Sequence, residues 1–92
     1  MKNVIIYDSY ARVLDTDETT ILHEANGSEI TVFSNETFEN ACAKVEELFE
    51  ESKTLGSSYT EVVSQPELGL VEIKVEFPDK RKLHRVIYLK DS

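Results

Sequence analysis

The residues from Asn35 to Leu55 do most to decide what this chain can become. Phe38, Ala41, Cys42, Val45, Leu48, Phe49, Ser52 and Leu55 recur at steps of three and four. That spacing lines up on one face of an α-helix and on no face of a strand. An apolar stripe of this kind has to be buried against a second layer. The flanking segments are strand-like, so a helix laid over a sheet is the expected outcome. Ser34 is placed to cap the first turn, with Phe33 and Phe38 as a hydrophobic staple, and Gly56 is placed to end the helix in the left-handed conformation.

The flanks carry the two-residue period of strands. Val4–Leu14 is rich in β-branched and aromatic residues, with Ile5, Tyr7, Ala11 and Val13 on one parity, and reads as one long strand or as two with a bend near Asp8-Ser9. Thr20–Ala25 and Ser28–Phe33 surround Asn26-Gly27, the favoured two-residue loop of a tight hairpin. After the helix, Ser58–Ser64, Leu70–Phe77 and Leu83–Leu89 read as three more strands, separated by turns at 65–69 and 78–81. Val71, Ile73, Val75 and Phe77 alternate with Glu72, Lys74 and Glu76, as in a sheet with one wet face. The expected fold is α+β, in the order β-β-β-α-β-β-β: an antiparallel sheet with one amphipathic helix packed on one face. Residues 1–92 are too few for two cores, which makes a single domain.

Several function classes are disfavoured. The longest apolar runs fall far short of the ~20 residues that cross a bilayer, or of a secretory leader. The single cysteine, Cys42, builds no disulfide framework, so a reducing, cytoplasmic setting is expected. The sequons at Asn26 and Asn35 then read as chance. The net charge of −8 disfavours nucleic acid and anionic membrane as partners. That charge is uneven: residues 1–79 hold 17 acids against 5 bases, a net −12, while residues 80–92 hold one acid against 5 bases, a net +4.

No constellation points to catalysis. Asp15-Thr16-Asp17-Glu18-Thr19 matches the D-x-D-x-T opening of haloacid-dehalogenase-type phosphatases, but the chain lacks the length and later motifs of that chemistry. It fails as a calcium loop as well, with Thr20 where glycine and Asn26 where glutamate should stand. His23 and His84 have no partner at zinc-ligand spacing. Ser9, Ser34 and Cys42 form no evident nucleophile–base pair, and three glycines make no phosphate loop. A non-enzymatic protein without metal or cofactor is expected.

The polar side of the helix is the more informative feature. At 3.6 residues per turn, Glu36, Glu39, Glu46, Glu47, Glu50 and Glu51 fall within about 140° opposite the apolar stripe. Solubility alone is the ordinary explanation of such a face. The sharper one is a partner protein with a basic surface, making the chain an inhibitor or adaptor. A special case is a nucleic-acid mimic of the anti-restriction or anti-CRISPR type, or an immunity protein, from a phage or mobile element. A separate alternative is a small DNA-binding domain using Lys80, Arg81, Lys82 and Arg85 in the last hairpin. A small enzyme would instead need a deep pocket with converging polar groups.

Overall fold

The computed structural model describes residues 1–13, 21–25, 27 and 29–92. In chain order the elements are β1 (Lys2–Val13), β2 (Ile21–Ala25), β3 (Glu29–Glu36), α1 (Phe38–Ser52), β4 (Ser58–Gln65), β5 (Leu70–Glu76) and β6 (Arg81–Asp91), with a 3-10 turn at Pro66–Leu68. Among the described residues every strand pairing is antiparallel, and six strands form one sheet in the order β2-β1-β6-β5-β4, with β3 also on β1. The expected class and element order are therefore present. The spine is the β1–β6 ladder, which runs through eleven residue pairs from Lys2–Asp91 to Arg12–Arg81.

Antiparallel pairing puts opposed residues on the same face. Val4, Ile6 and Asp8 of β1 stand beside Leu89, Ile87 and Arg85 of β6, and Val71, Ile73 and Val75 of β5 complete that face. The helix lies on it through Ala41, Val45 and Phe49, which are buried together with Val4, Ile6, Val71, Ile73, Val75, Leu83 and Ile87. The alternation read in β5 thus faces the helix as expected. In β1 the parity differs from the reading. Val4 and Ile6 face the helix, while Ile5, between Tyr88 and Thr31, is buried on the opposite face. A strand with neighbours on both sides can bury both faces, so alternation fades there.

The helix is shorter than its periodicity suggests. β3 continues to Glu36, Asn35 adopts a positive φ of 58°, and Thr37 takes the capping position, accepting a hydrogen bond from the Asn40 N–H at 3.2 Å. Asn35 is fixed by its N–H donating to Asn3 Oδ1 at 2.9 Å, and asparagine is among the few non-glycine residues that tolerate that conformation. Ser34 therefore does not cap the helix, and the staple does not form as read: Phe33 belongs to β3, and Phe38 is 48 % exposed. At the other end the helix stops at Ser52 with Lys53 as cap, and Leu55 is exposed. Gly56 has no left-handed backbone. A Cβ there would stand 2.3 Å from the Glu76 carbonyl oxygen, so glycine is needed for close approach to β5. The left-handed glycine is Gly69, at φ 76°, closing the turn into β5.

The hairpin expected between residues 20–25 and 28–33 is replaced by another arrangement. β2 and β3 are both antiparallel to β1, so they run the same way along one edge of it, β3 against Lys2–Tyr7 and β2 against Tyr10–Val13. Asn26 and Ser28 lie outside the described residues, as does the polar segment 14–20. Gly27 sits where a Cβ would meet the Asp8 carbonyl oxygen at 1.8 Å, so this glycine permits contact with β1. The register shifts near Val32 in β3 and near Val62 in β4. β3 and β4, two of the outer strands, therefore carry the kind of irregularity that discourages pairing with another chain.

The burial pattern separates two phenylalanines that the sequence stripe treats alike. Phe49→Ala should lose about 3–5 kcal/mol in urea unfolding. Phe38→Ala should stay within roughly 0.5 kcal/mol of the parent.

Candidate functional site

The helix is held at its C-terminal end by a polar knot. Asp8 and Arg85 are opposite each other on β1 and β6, both on the helix-facing side. The guanidinium donates from Nε and Nη2 to the two oxygens of Asp8 at 2.8 Å each, and from Nη1 to the Ser52 hydroxyl at 2.9 Å. Ser52, fully buried in the last helical turn, donates in turn to the Leu48 carbonyl at 2.7 Å. The Arg85 and Asp8 side chains are only 17 % and 19 % exposed. The paired carboxylate raises the guanidinium pKa against the opposing effect of burial, as a two-pronged ion pair should. The signal for this pair was present in the sequence. Arg85 shares parity with Leu83 and Ile87, and Asp8 with Val4 and Ile6, so two opposite charges face the core from strands that pair.

With its inner face fixed, α1 presents its acids outward. Glu39, Glu46, Glu47, Glu50 and Glu51 are all exposed on the helix. Glu36 does not belong to that row: it ends β3, where the Asn40 side-chain amide donates to it at 3.4 Å. Two of the helical acids have internal cations, Lys44 at 3.5 Å from Glu47 and Lys53 at 2.7 Å from Glu50. Lys53 also reaches Glu61 of β4 at 2.9 Å and lies over the Phe49 ring, 4.5 Å from its centroid. The two carboxylates raise its pKa, Glu50 foremost, so this lysine fastens the helix end to the edge strand. Glu39 and Glu46 make no ion pair among the described residues. Glu46/Glu50 and Glu47/Glu51 are like-charge neighbours one turn apart, each costing about 0.2–0.5 kcal/mol.

The basic hairpin is less basic than its sequence. Arg85 belongs to the knot beneath the helix and is removed from the patch. Arg81 is held by Asp79, with Nε 2.7 Å from Oδ2, and stacks over Phe77 at 4.9 Å. Lys82 lies 3.7 Å from Glu76. Lys80 occupies the tight turn with φ 69° and donates its N–H to the Phe77 carbonyl. The alternation of the strand is responsible: it sends neighbouring basic residues to opposite faces, so a run of charge in sequence does not become a patch.

The remaining candidates are placed as follows. His84 lies with Nε2 2.6 Å from Glu72 Oε2 on the face away from the helix. His23 pairs with Arg12 in the β1–β2 ladder. Cys42 contacts the Glu67 carbonyl oxygen at 3.6 Å, and burial raises its thiol pKa, which makes it a poor nucleophile. Asp15, Asp17 and Glu18 lie outside the described residues. Among the described residues, no three His, Cys, Asp or Glu side chains converge as a metal site, and no helix is long and apolar enough to cross a membrane. Compared with known families, curated proteins and solved structures, the chain matches none.

Two outcomes follow from these contacts. Asp8→Ala should cost about 3 kcal/mol by chemical denaturation, since it strands a largely buried guanidinium, and Arg85→Met added to it should recover part of the loss. On the other face, the Tyr88 hydroxyl donates to Glu29 at 2.6 Å, which pushes the Tyr88 pKa up to about 12. The stabilisation from this raised pKa is complete below pH ~10, the unfolded phenol value, and is lost as pH rises through about 12. An NMR titration of the Tyr88 ring should show that late midpoint, and Glu29→Gln should return it toward ~10.

Proposed function

We propose that this domain is a non-enzymatic interaction module that docks a basic protein surface on the outer face of α1. The observation that supports the reading is the placement of Glu39, Glu46, Glu47, Glu50 and Glu51 together on the exposed side of a helix whose other side is fixed to the sheet. The knot and the Lys53 bridge hold that helix as a rigid rod, so its carboxylates are presented with little ordering cost on binding.

Stability offers no reason for the arrangement. Glu50 and Glu51 stand in the last turn, which contains no basic residue of its own, and only Glu50 is met by the capping Lys53, although a helix favours cations there. Like-charge pairs one turn apart add to the cost. A basic partner would relieve both penalties when it binds, which makes the unfavourable charge pattern a source of affinity. Lys44 and Lys53 sit at the borders, partly neutralising Glu47 and Glu50, so Glu39 and Glu46 are the acids most open to a partner.

The test uses the intact domain as bait in a cell lysate. Glu39, Glu46, Glu47, Glu50 and Glu51 are changed to Gln together. The parent should capture a basic protein that is released between 50 and 300 mM salt. The variant should be as stable as the parent or more so, by a few tenths of a kcal/mol for each relieved pair, and should capture nothing. Capture of the same protein by the folded variant would defeat the reading.

A further inference from the structure

The face of the sheet turned away from α1 holds a hollow of about 460 Å³ near the β5–β6 turn. Its origin lies in the register. Ser9, His84, Lys74 and Thr60 stand side by side on β1, β6, β5 and β4, and Ala11, Lys82 and Glu76 form the next row on the same face. Short side chains at Ser9, Ala11 and Thr60 leave the volume, and Lys74, Lys82 and His84 border it. The size falls within the ~300–1,000 Å³ of small-molecule sites.

The charges around it are incompletely used. Lys74 has no hydrogen bond or ion pair among the described residues. Lys82 stands 3.7 Å from Glu76, near the limit of an ion pair. Glu72 engages one nitrogen of His84, which leaves the other nitrogen for a ligand. Two cations, two hydroxyls and an imidazole thus surround a floor formed partly by the Ala11 methyl and the strand backbones, and the one carboxylate in the lining, Glu76, is already turned to Lys82. The domain's large negative charge does not forbid an anion here. The helical carboxylates lie on the far side of a rod ~10–12 Å across, beyond the Debye length of ~8 Å at physiological salt.

We propose that this hollow binds a small organic anion, with its carboxylate or phosphate between Lys74 and Lys82 and its apolar body over Ala11. Thr60, beside Lys74 on β4, supplies a hydroxyl donor at that end of the hollow, while Ser9, three strands and ~14 Å away, lines the opposite end. The site is on the opposite face from the acidic helix and stands or falls independently of it.

The experiment is an amide NMR titration of the intact domain with three probes: benzoate, phenyl phosphate and inorganic phosphate. Benzoate and phenyl phosphate share a body and differ in head group, so their ranking identifies which anion the site prefers. At least one should produce saturable shifts confined to residues 9–11, 59–61, 74–76 and 82–84, with a Kd in the millimolar range. Inorganic phosphate should bind more weakly than phenyl phosphate. Lys74→Gln with Lys82→Gln should weaken binding at least tenfold while the spectrum stays dispersed. Ala11→Leu, which fills the hollow and leaves every charge in place, should do the same. Shifts that fail to saturate, that spread equally to Lys2 and Lys90, or that persist unchanged in the folded double variant or in Ala11→Leu would each overturn the proposal.

Discussion

Burial of one side of α1 against the sheet governs the rest of this structure. Ala41, Val45 and Phe49 meet Val4, Ile6, Val71, Ile73, Val75, Leu83 and Ile87, and all ten are sealed from water. Each large side chain so removed contributes about 1.5–3 kcal/mol gross, a sizeable share of the net stability of a small domain. Once that face is committed, the rotation of the helix is fixed and the glutamates have nowhere to go but outward. The acidic surface is a by-product of the core's geometry as much as of its own residues.

The polar knot refines what apolar contact leaves loose. Hydrophobic burial is non-directional, so it tolerates small slides of a helix over a sheet. The planar fork of Arg85, gripping Asp8 on one side and Ser52 on the other, tolerates very few. Lys53 acts similarly at the margin by joining the helix to Glu61 on β4. The helix is therefore registered at its C-terminal end, where the acids are densest.

The sequence made the helix, the order of elements along the chain and the inward face of β5 legible because each rests on a simple period, whereas the order of strands within the sheet was not. It misled where a local signal met a tertiary demand. Asn26-Gly27 resembles a hairpin loop, yet β1 is long enough to pair with β3 and β2 in succession, and that pairing prevailed. Gly56 resembles a helix stop, but its missing Cβ serves the approach to Glu76. Phe38 and Leu55 fit the apolar stripe and still fall outside the core, since the helix begins after the β3 extension and ends before Leu55. The acidic row was readable except for Glu36, which the strand retained. The hollow on the far face was not readable. It depends on which residues become neighbours across four strands, and register is not encoded in any single segment.

The position of β6 bears on how the molecule assembles. It joins β1 to β5 and so unites two groups of strands, β1–β3 and β4–β5, that have no other ladder between them among the described residues. A growing chain passes through both groups before the strand that unites them has been made. Until then the apolar sides of β1 and β5 have no common surface on which α1 can settle. Assembly therefore resembles a keystone arch, in which the placing of β6 converts two unsupported halves into a standing whole.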